Sequence, residues 1–240
     1  MRKKEEIIKR IMCLLCFTDR CVLETSVIDG IIRSLKEREN QRQAIIEWLK
    51  WKEYYNSFSD KEKRIIETPI TNHTNNDIVY YYHDYECIEP LLWSIGLANK
   101  LSNYDDYIIK DLHPPVKIGP NHSLQSIVNC CKDNPETNVE KYKEIAMLWY
   151  WRCLEARNGS SKNVNFKNAI IDVFGEDCFS LLENYKGFNP SKGDFIVKGK
   201  TVSELSNIEV AKLEIIAERR FYAFEWLFSD DDWDNVDLVC

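Results

Sequence analysis

The stretch "LEIIAERRFYAFEWLF", residues 213–228, has the apolar spacing of one face of a long helix. Its apolar side chains recur at intervals of three and four residues, so we predict a final helix over residues 206–228. Arg220 is the charged residue inside this stripe. It either extends to solvent, pairs with a buried carboxylate or holds an anionic ligand. The stripe comprises Leu213, Ile216, Ala217, Arg220, Phe221, Phe224, Leu227 and Phe228.

A second stretch, "YECIEPLLWSIGLANKL" at residues 85–101, has almost no polar face, which predicts a buried helix. Two glutamates lie in its first turns, where the helix dipole stabilises carboxylates. They either face solvent at one end of the helix, or one of them faces inward and requires a cation. A pocket between the helices at 85–101 and 206–228 would be lined by Glu86, Glu89, Trp93, Arg220 and Trp226.

The whole chain is punctuated by only eight glycines and seven prolines in 240 residues, which favours long helices. "SDKE" at residues 59–62 predicts a helix start, because the serine and glutamate can form a capping box. Lys198-Gly199 is suited to a two-residue hairpin turn. The sequence therefore predicts a mainly α fold, a multi-helix globular domain with one small β-hairpin near 194–202. Further helices are predicted over about 3–17, 24–39, 41–55, 123–132, 136–157, 166–174 and 177–185.

The polar loop "TNHTNND" at residues 71–77 is the clearest internal break in the chain. Residues 1–70 then form an N-terminal helical part packed on a main helical domain of residues 71–240, unless the two make one continuous domain. The segment after the loop, "IVYYYHDY", has the composition of a strand.

Composition limits the class of protein and its compartment. The net charge of −7, without a basic stripe, argues against nucleic-acid binding. No apolar run is long enough to span a membrane, and the N-terminus lacks the pattern of a signal peptide. Nine cysteines in a long chain do not suggest a disulfide scaffold. We therefore expect a cytoplasmic protein with reduced thiols.

Motifs for metal binding or catalysis are weak. Cys13 and Cys16 lie one helical turn apart on an apolar stripe, and with Cys21 they are better suited to core packing than to zinc. We expect no metal and no cofactor. No phosphate loop, serine elbow or metalloprotease motif occurs, and we name no catalytic residue. Of the four histidines, His83 precedes an aspartate at the head of the apolar helix, while the others fall in polar or proline-rich loops: His73, His113 and His122.

The segment "SDDDWDN", residues 229–235, follows the final helix. Acids at a helix C-terminus oppose its dipole, so they favour the end of the helix, with Trp233 folded back onto the body. The alternative is an acidic surface for a basic partner protein. That surface would comprise Asp230, Asp231, Asp232 and Asp234.

Three of these segments resemble a bacterial domain-of-unknown-function family, number 4272. The stretch at 85–101 resembles its "YEALxxLLWALGL" helix, "LQSIVNCC" with "KYKEIAMLWYWRCLEAR" its central helix pair, and "RRFYAFEWLF…WDN" its "ERHxALNWL…WD" signature. The likeness would run from about Lys36 to the C-terminus. Arg220 and Trp226 match that signature, whereas Phe221 replaces its histidine and Glu225 its asparagine. Arg219 stands in the place of its glutamate, unless Glu218 takes that role. The resemblance implies a mainly helical, cytosolic bacterial protein and no particular reaction.

Two functions fit these observations. The first is a non-enzymatic protein-interaction role, for instance as an immunity or accessory protein of a bacterial toxin or defence system, because the chain is acidic and lacks catalytic signatures. The second is an enzyme or small-anion-binding protein that uses the pocket between the helices at 85–101 and 206–228. The oligomeric state does not follow from the sequence.

Overall fold

A computed structural model of the chain describes residues 1–28, 31–72, 82–105, 107, 123–132, 134–158 and 166–239. Within these ranges the fold is mainly α, which confirms the predicted class. The α-helices are α1 (Lys4–Val22), α2 (Leu35–Trp51), α3 (Asp60–Glu67), α4 (Ile88–Ser94), α5 (Leu124–Val128), α6 (Glu136–Arg157), α7 (Phe166–Ser180) and α8 (Asn207–Phe228). The strands are β1 (Val27–Ile28), β2 (Ile31–Ile32), β3 (Phe188–Asn189), β4 (Asp194–Val197) and β5 (Lys200–Thr201). Short 3-10 helices cover Tyr55–Ser57, His83–Cys87, Val202–Glu204 and Trp233–Asn235.

Capping boxes set the start of several helices. Ser59 caps α3 with Glu62, as predicted, and the helix ends at Glu67, ahead of Pro69. The break predicted between helices at 24–39 and 41–55 is wrong, because residues 35–51 form one continuous helix, α2. The start predicted at residue 24 is also wrong, because the antiparallel pair β1–β2 precedes α2. Ser34 decides this boundary, since its hydroxyl accepts from the backbone of Glu37 and the Glu37 carboxylate accepts from the Ser34 N–H at 2.7 Å.

The apolar helix predicted over 85–101 is shorter than expected. A 3-10 turn at His83–Cys87 leads into α4, which ends at Ser94. Gly96 has φ +70°, and an added Cβ would lie 2.5 Å from the carbonyl oxygen of Lys132, so this backbone conformation favours glycine. The Leu97 N–H donates to the carbonyl of Leu92 at 2.9 Å and closes the helix end. The chain therefore leaves the helix axis and runs as a loop from residue 95.

The predicted hairpin at 194–202 is present and belongs to a three-stranded antiparallel sheet of order β3–β4–β5. Its turn residues Lys198 and Gly199 both have positive φ, 50° and 82°, as a two-residue turn between twisted strands requires. The additional strand β3 is two residues long, with Phe188 opposite Phe195. A strand of that length shows no alternation from which it could be predicted.

Two hydrophobic clusters form the core, and α8 contributes to both. The first joins α1, α4 and the second half of α8, and it includes Trp233 from beyond the helix. The second joins α6, α7, the three-stranded sheet and the first half of α8. Side chains from both sides of residue 70 meet in the first cluster; the boundary proposed there stays a prediction.

Arginines of α2 close the C-terminal ends of two other helices. The Nη1 atom of Arg38 donates to the carbonyl of Leu23, at the end of α1, at 2.9 Å. Nη1 of Arg42 donates to the carbonyl of Ile66, in the last turn of α3, at 3.0 Å. The last carbonyls of a helix have no partner within it, so these guanidinium groups satisfy acceptors that would otherwise be buried without a donor.

The N-terminal cysteines lie in the core, as their helical spacing predicts. Cys13, Cys16 and Cys21 are buried in α1, and burial raises the pKa of the Cys21 thiol to about 12. No group of three or more histidine, cysteine, aspartate or glutamate side chains that could hold a metal occurs in the described parts of the chain. Among the same residues, no helix has both the length and the apolar character that a membrane crossing requires. The loop histidines His73, His113 and His122 and the first residues of "IVYYYHDY", 78–81, lie outside the described ranges.

Candidate functional site

Arg220 and Glu86 form a buried ion pair between α8 and the 3-10 turn before α4. Nε and Nη2 of Arg220 both donate to Oε2 of Glu86, at 3.2 and 3.0 Å. Each of the two side chains is only 2% exposed. Of the three alternatives that the sequence left for Arg220, pairing with a buried carboxylate is the one observed.

The remaining donors of Arg220 hold a loop. Its Nη1 donates to the carbonyls of Ser102 and Asn103 at 2.8 and 3.1 Å. Glu89 holds the same loop from α4, because its carboxylate accepts from the N–H and the hydroxyl of Ser102 at 2.8 and 2.7 Å. Both glutamates of the predicted site thus face inward, one to a cation and one to a loop. Glu89 and Arg220 thus both anchor Ser102, which lies in the loop at residues 99–104.

A cavity of about 370 Å³ lies against this loop, and we call it the aromatic cavity. The walls are supplied by the loop, α4, α6, α8 and the turn at residues 184–186. Trp93 forms part of the wall, and its ring meets those of Tyr142 and Phe224 edge to face, with centroids 4.8 and 6.2 Å away. The lining side chains are Trp93, Asn99, Lys100, Leu101, Ser102, Asn103, Tyr104, Tyr142, Ile145, Asn184, Tyr185, Lys186, Arg220 and Phe224.

The charge of the aromatic cavity is opposite to that of the protein. Among the described residues that line it, three are cations, Lys100, Lys186 and Arg220, and none is a carboxylate, although the chain as a whole has a net charge of −7. Arg220 is compensated by Glu86. Lys100 and Lys186 are exposed, and neither has an ion-pair partner among the residues described. Among the described lining residues, the two lysines are therefore the charges available to a ligand.

The phenol of Tyr185 belongs to the wall of the same cavity. Burial raises its pKa to about 12, so it is neutral near physiological pH. Its oxygen accepts a hydrogen bond from the indole N–H of Trp149 at 3.1 Å, which leaves the phenol proton for another acceptor. The wall thus offers a neutral donor in addition to the two ammonium groups.

Trp226, the remaining residue of the predicted pocket, does not line the aromatic cavity. It packs on Trp233 with ring centroids 5.3 Å apart, and the guanidinium of Arg2 lies 4.4 Å from its ring centre. Six residues separate it from Arg220, which is about 240° around the helix, so the two side chains leave α8 on different faces.

A second buried ion pair, between Arg219 and Asp84, was not predicted from the sequence. Arg219 is not a member of the apolar stripe predicted for the final helix, yet it is only 7% exposed. Its Nε lies 3.2 Å from Oδ1 of Asp84. Burial raises the pKa of Asp84 to about 7, and the nearby guanidinium opposes this shift only in part. The pair borders a polar cavity of about 170 Å³. A sequence pattern could have indicated this pair: Asp84 and Glu86 are two residues apart, and Arg219 and Arg220 are adjacent. His83 is half-buried and stacks on Tyr107.

The tail that follows α8, residues 229–239, folds back as predicted. Trp233 is buried against Tyr222, whose hydroxyl donates to the Trp233 carbonyl. The guanidinium of Arg10 lies 4.7 Å from the Trp233 ring centre. The four aspartates of the predicted acidic surface are all exposed: Asp230, Asp231, Asp232 and Asp234. Binding of a basic partner to them stays a prediction.

A family model described as "Domain of unknown function (DUF4272)" matches residues 1–170, more than two thirds of the 240-residue chain. The chain belongs to this family. The DUF4272 match begins at the first residue, so it includes α1 and not only the part after Lys36 that we expected. It ends before α8, and the C-terminal likeness is therefore not part of it. No curated protein and no solved structure matches the chain.

Proposed function

We propose that this protein binds a small anion in the aromatic cavity. One observation carries the proposal: in an acidic chain, the described residues that line this cavity include cations and no carboxylate. Its volume of about 370 Å³ lies in the range of small-molecule sites, which are mostly apolar with a few convergent polar groups. Glu89 and Arg220 anchor the loop at residues 99–104 through Ser102, which lowers the entropy that this part of the site loses when a ligand binds.

Binding can be measured by isothermal titration calorimetry with inorganic phosphate, pyrophosphate and citrate at low and at moderate salt. We expect at least one of these anions to bind, and added salt to weaken the binding. Replacing both Lys100 and Lys186 by alanine should reduce affinity at least about tenfold, since each charge-assisted contact contributes about 1.5–3 kcal/mol.

The matched control removes two exposed lysines elsewhere, Lys36→Ala with Lys141→Ala, and changes the net charge by the same amount. That variant should bind like the unaltered protein. Equal losses in both double variants would show only a general effect of charge, and the absence of binding by every anion would refute the site.

A protein-interaction role is the second candidate, and the geometry of the tail favours it. Four exposed aspartates lie within five residues on a segment that the burial of Trp233 fixes to the body. A held, acidic segment suits a basic partner, with fast and salt-sensitive association. On this proposal the protein acts in the bacterial cytoplasm, for instance as an immunity or accessory protein.

The test neutralises the four aspartates to asparagine and compares affinity purifications from a native bacterial host. We expect a partner that is retained in stoichiometric amounts at low salt, released by added salt and absent with the neutralised tail. A partner retained equally by both proteins, or none at all, would rule out an acidic interaction surface.

A further inference from the structure

We propose that the ligand of the aromatic cavity is a nucleoside monophosphate, with its base among the rings and its phosphate at the two lysines. The inference rests on the proposed anion-binding function and names the ligand class. It draws on three features of the lining: the number of rings, the free amide groups and the position of the charges.

The lining of the aromatic cavity is rich in aromatic rings. Five aromatic side chains line the cavity, far more than an inorganic anion or a sugar phosphate would use. Both faces of Tyr104 are covered, one by the guanidinium of Arg220, whose central carbon lies 4.6 Å from the ring centre, and the other by Trp149, which stacks on it at 4.6 Å. Tyr104 can therefore meet a ligand only with its edge. Rings fixed in this way lose little conformational entropy when a planar ligand stacks or packs edge-on against them. The five are Trp93, Tyr104, Tyr142, Tyr185 and Phe224.

Side-chain amides supply hydrogen-bonding groups of both kinds. Asn99 and Asn184 line the cavity and are exposed, and neither amide has a hydrogen-bond partner within the described part of the chain. An amide offers two donors and one acceptor oxygen, which matches the mixed edge of a nucleobase. A simple aromatic carboxylate has no comparable edge, so these amides favour a heteroaromatic ring.

The charges favour a phosphate. Lys100 and Lys186 lie on separate segments of the cavity wall, the loop at 99–104 and the turn at 184–186. Lysine binds phosphate as a point charge, and two lysines with no carboxylate among the described lining residues suit a dianion. A ligand that carries a ring and a phosphate can use the rings, the amides and the lysines together.

The experiment titrates the protein with the monophosphates of adenosine, guanosine, cytidine and uridine by calorimetry. Ribose phosphate, inorganic phosphate, adenosine and indole acetate serve as partial ligands. We expect at least one nucleotide to bind about tenfold or more tightly than ribose phosphate, because base stacking adds affinity. Adenosine should also bind more weakly than its monophosphate, because it lacks the charge.

Three variants divide the site. Asn184→Ala, at an exposed position, should weaken the preferred nucleotide and leave ribose phosphate unchanged. Lys100→Ala with Lys186→Ala should weaken both ligands, and the control Lys36→Ala with Lys141→Ala should weaken neither. Far-ultraviolet circular dichroism of each variant checks that it remains folded.

The outcomes distinguish failure of the nucleotide assignment from failure of the anion site. Ribose phosphate or inorganic phosphate binding as tightly as the best nucleotide would overturn the nucleotide assignment and leave the anion site standing. Indole acetate binding more tightly than every nucleotide would do the same, in favour of an aromatic carboxylate. If none of the anions binds, both the ligand class and the proposed function fail.

Discussion

Replacing Arg220 by methionine should lower the free energy of unfolding by about 3–5 kcal/mol. The change leaves the Glu86 carboxylate, which is 2% exposed, without its cation. It also removes the donor to the carbonyls of Ser102 and Asn103. We expect a loss near the upper end of that range, since a hydrogen bond to a charged group typically contributes about 1.5–3 kcal/mol.

The measurement is urea unfolding followed by far-ultraviolet circular dichroism, in a cycle with Glu86→Leu and the double variant. Removing both partners of a buried pair often costs little, so the double variant should be more stable than the sum of the single losses predicts. Arg157→Met is the control, because Arg157 contacts Glu214 at 2.6 Å while its side chain is 59% exposed. That variant should lose at most about 1 kcal/mol. A loss for Arg220→Met no larger than the control's would refute the reasoning.

Three further perturbations test other parts of the structure. The pKa of Asp84 is raised from 3.8 to about 7, so the folded protein binds a proton at this carboxylate more strongly than the unfolded chain does. The stability that this proton contributes is complete below about pH 4. It is lost as the pH rises through about 7. Unfolding measured across that range should therefore depend less on pH in Asp84→Asn. Gly96→Ala should lower the free energy of unfolding more than Gly199→Ala does in the same assay. Both glycines have positive φ, but only at Gly96 would the new Cβ lie against the Lys132 carbonyl. Equal losses would mean that only backbone strain, about 1–2 kcal/mol, matters. Trp233→Ala should cost about 3–5 kcal/mol and speed proteolysis of the tail, and unchanged proteolysis would show that the ring does not anchor it.

Local signals predicted much of the fold correctly. The start of α3 and the full extent of α8 follow from capping serines and from spacing within one segment. The helix α6 begins at Glu136, as predicted, without a side-chain cap. The turn at Lys198-Gly199 follows from the need for positive φ at both of its residues. In each case the determining contacts are separated by only a few residues, so the chain pattern contains them.

Features that depend on distant segments could not be predicted in this way. The apolar pattern continues beyond Ser94, but Gly96 lies against the carbonyl of Lys132, and α4 ends there. Arg219 is off the apolar stripe of its own helix and is still buried, because a second segment with Asp84 covers that face.

The candidate site shows the same division. Trp93, Glu86, Glu89 and Arg220 could be named from the two helical patterns, and they do come together. Lys186 and its neighbours could not, because no local pattern shows that the turn at 184–186 reaches the loop at 99–104. The cavity forms only by tertiary packing, so its positively charged lining cannot be predicted from either segment alone.

The two arginines of α2 also couple the local unfolding of α2 to that of the two helix ends that they contact. Arg38 and Arg42 lie one turn apart and close the ends of α1 and α3, respectively. If α2 detaches, the final turns of both other helices lose their donors at the same moment. Amide hydrogens in those turns should therefore exchange with solvent together with those of α2, as one cooperative unit, and not by independent fraying of three helix ends.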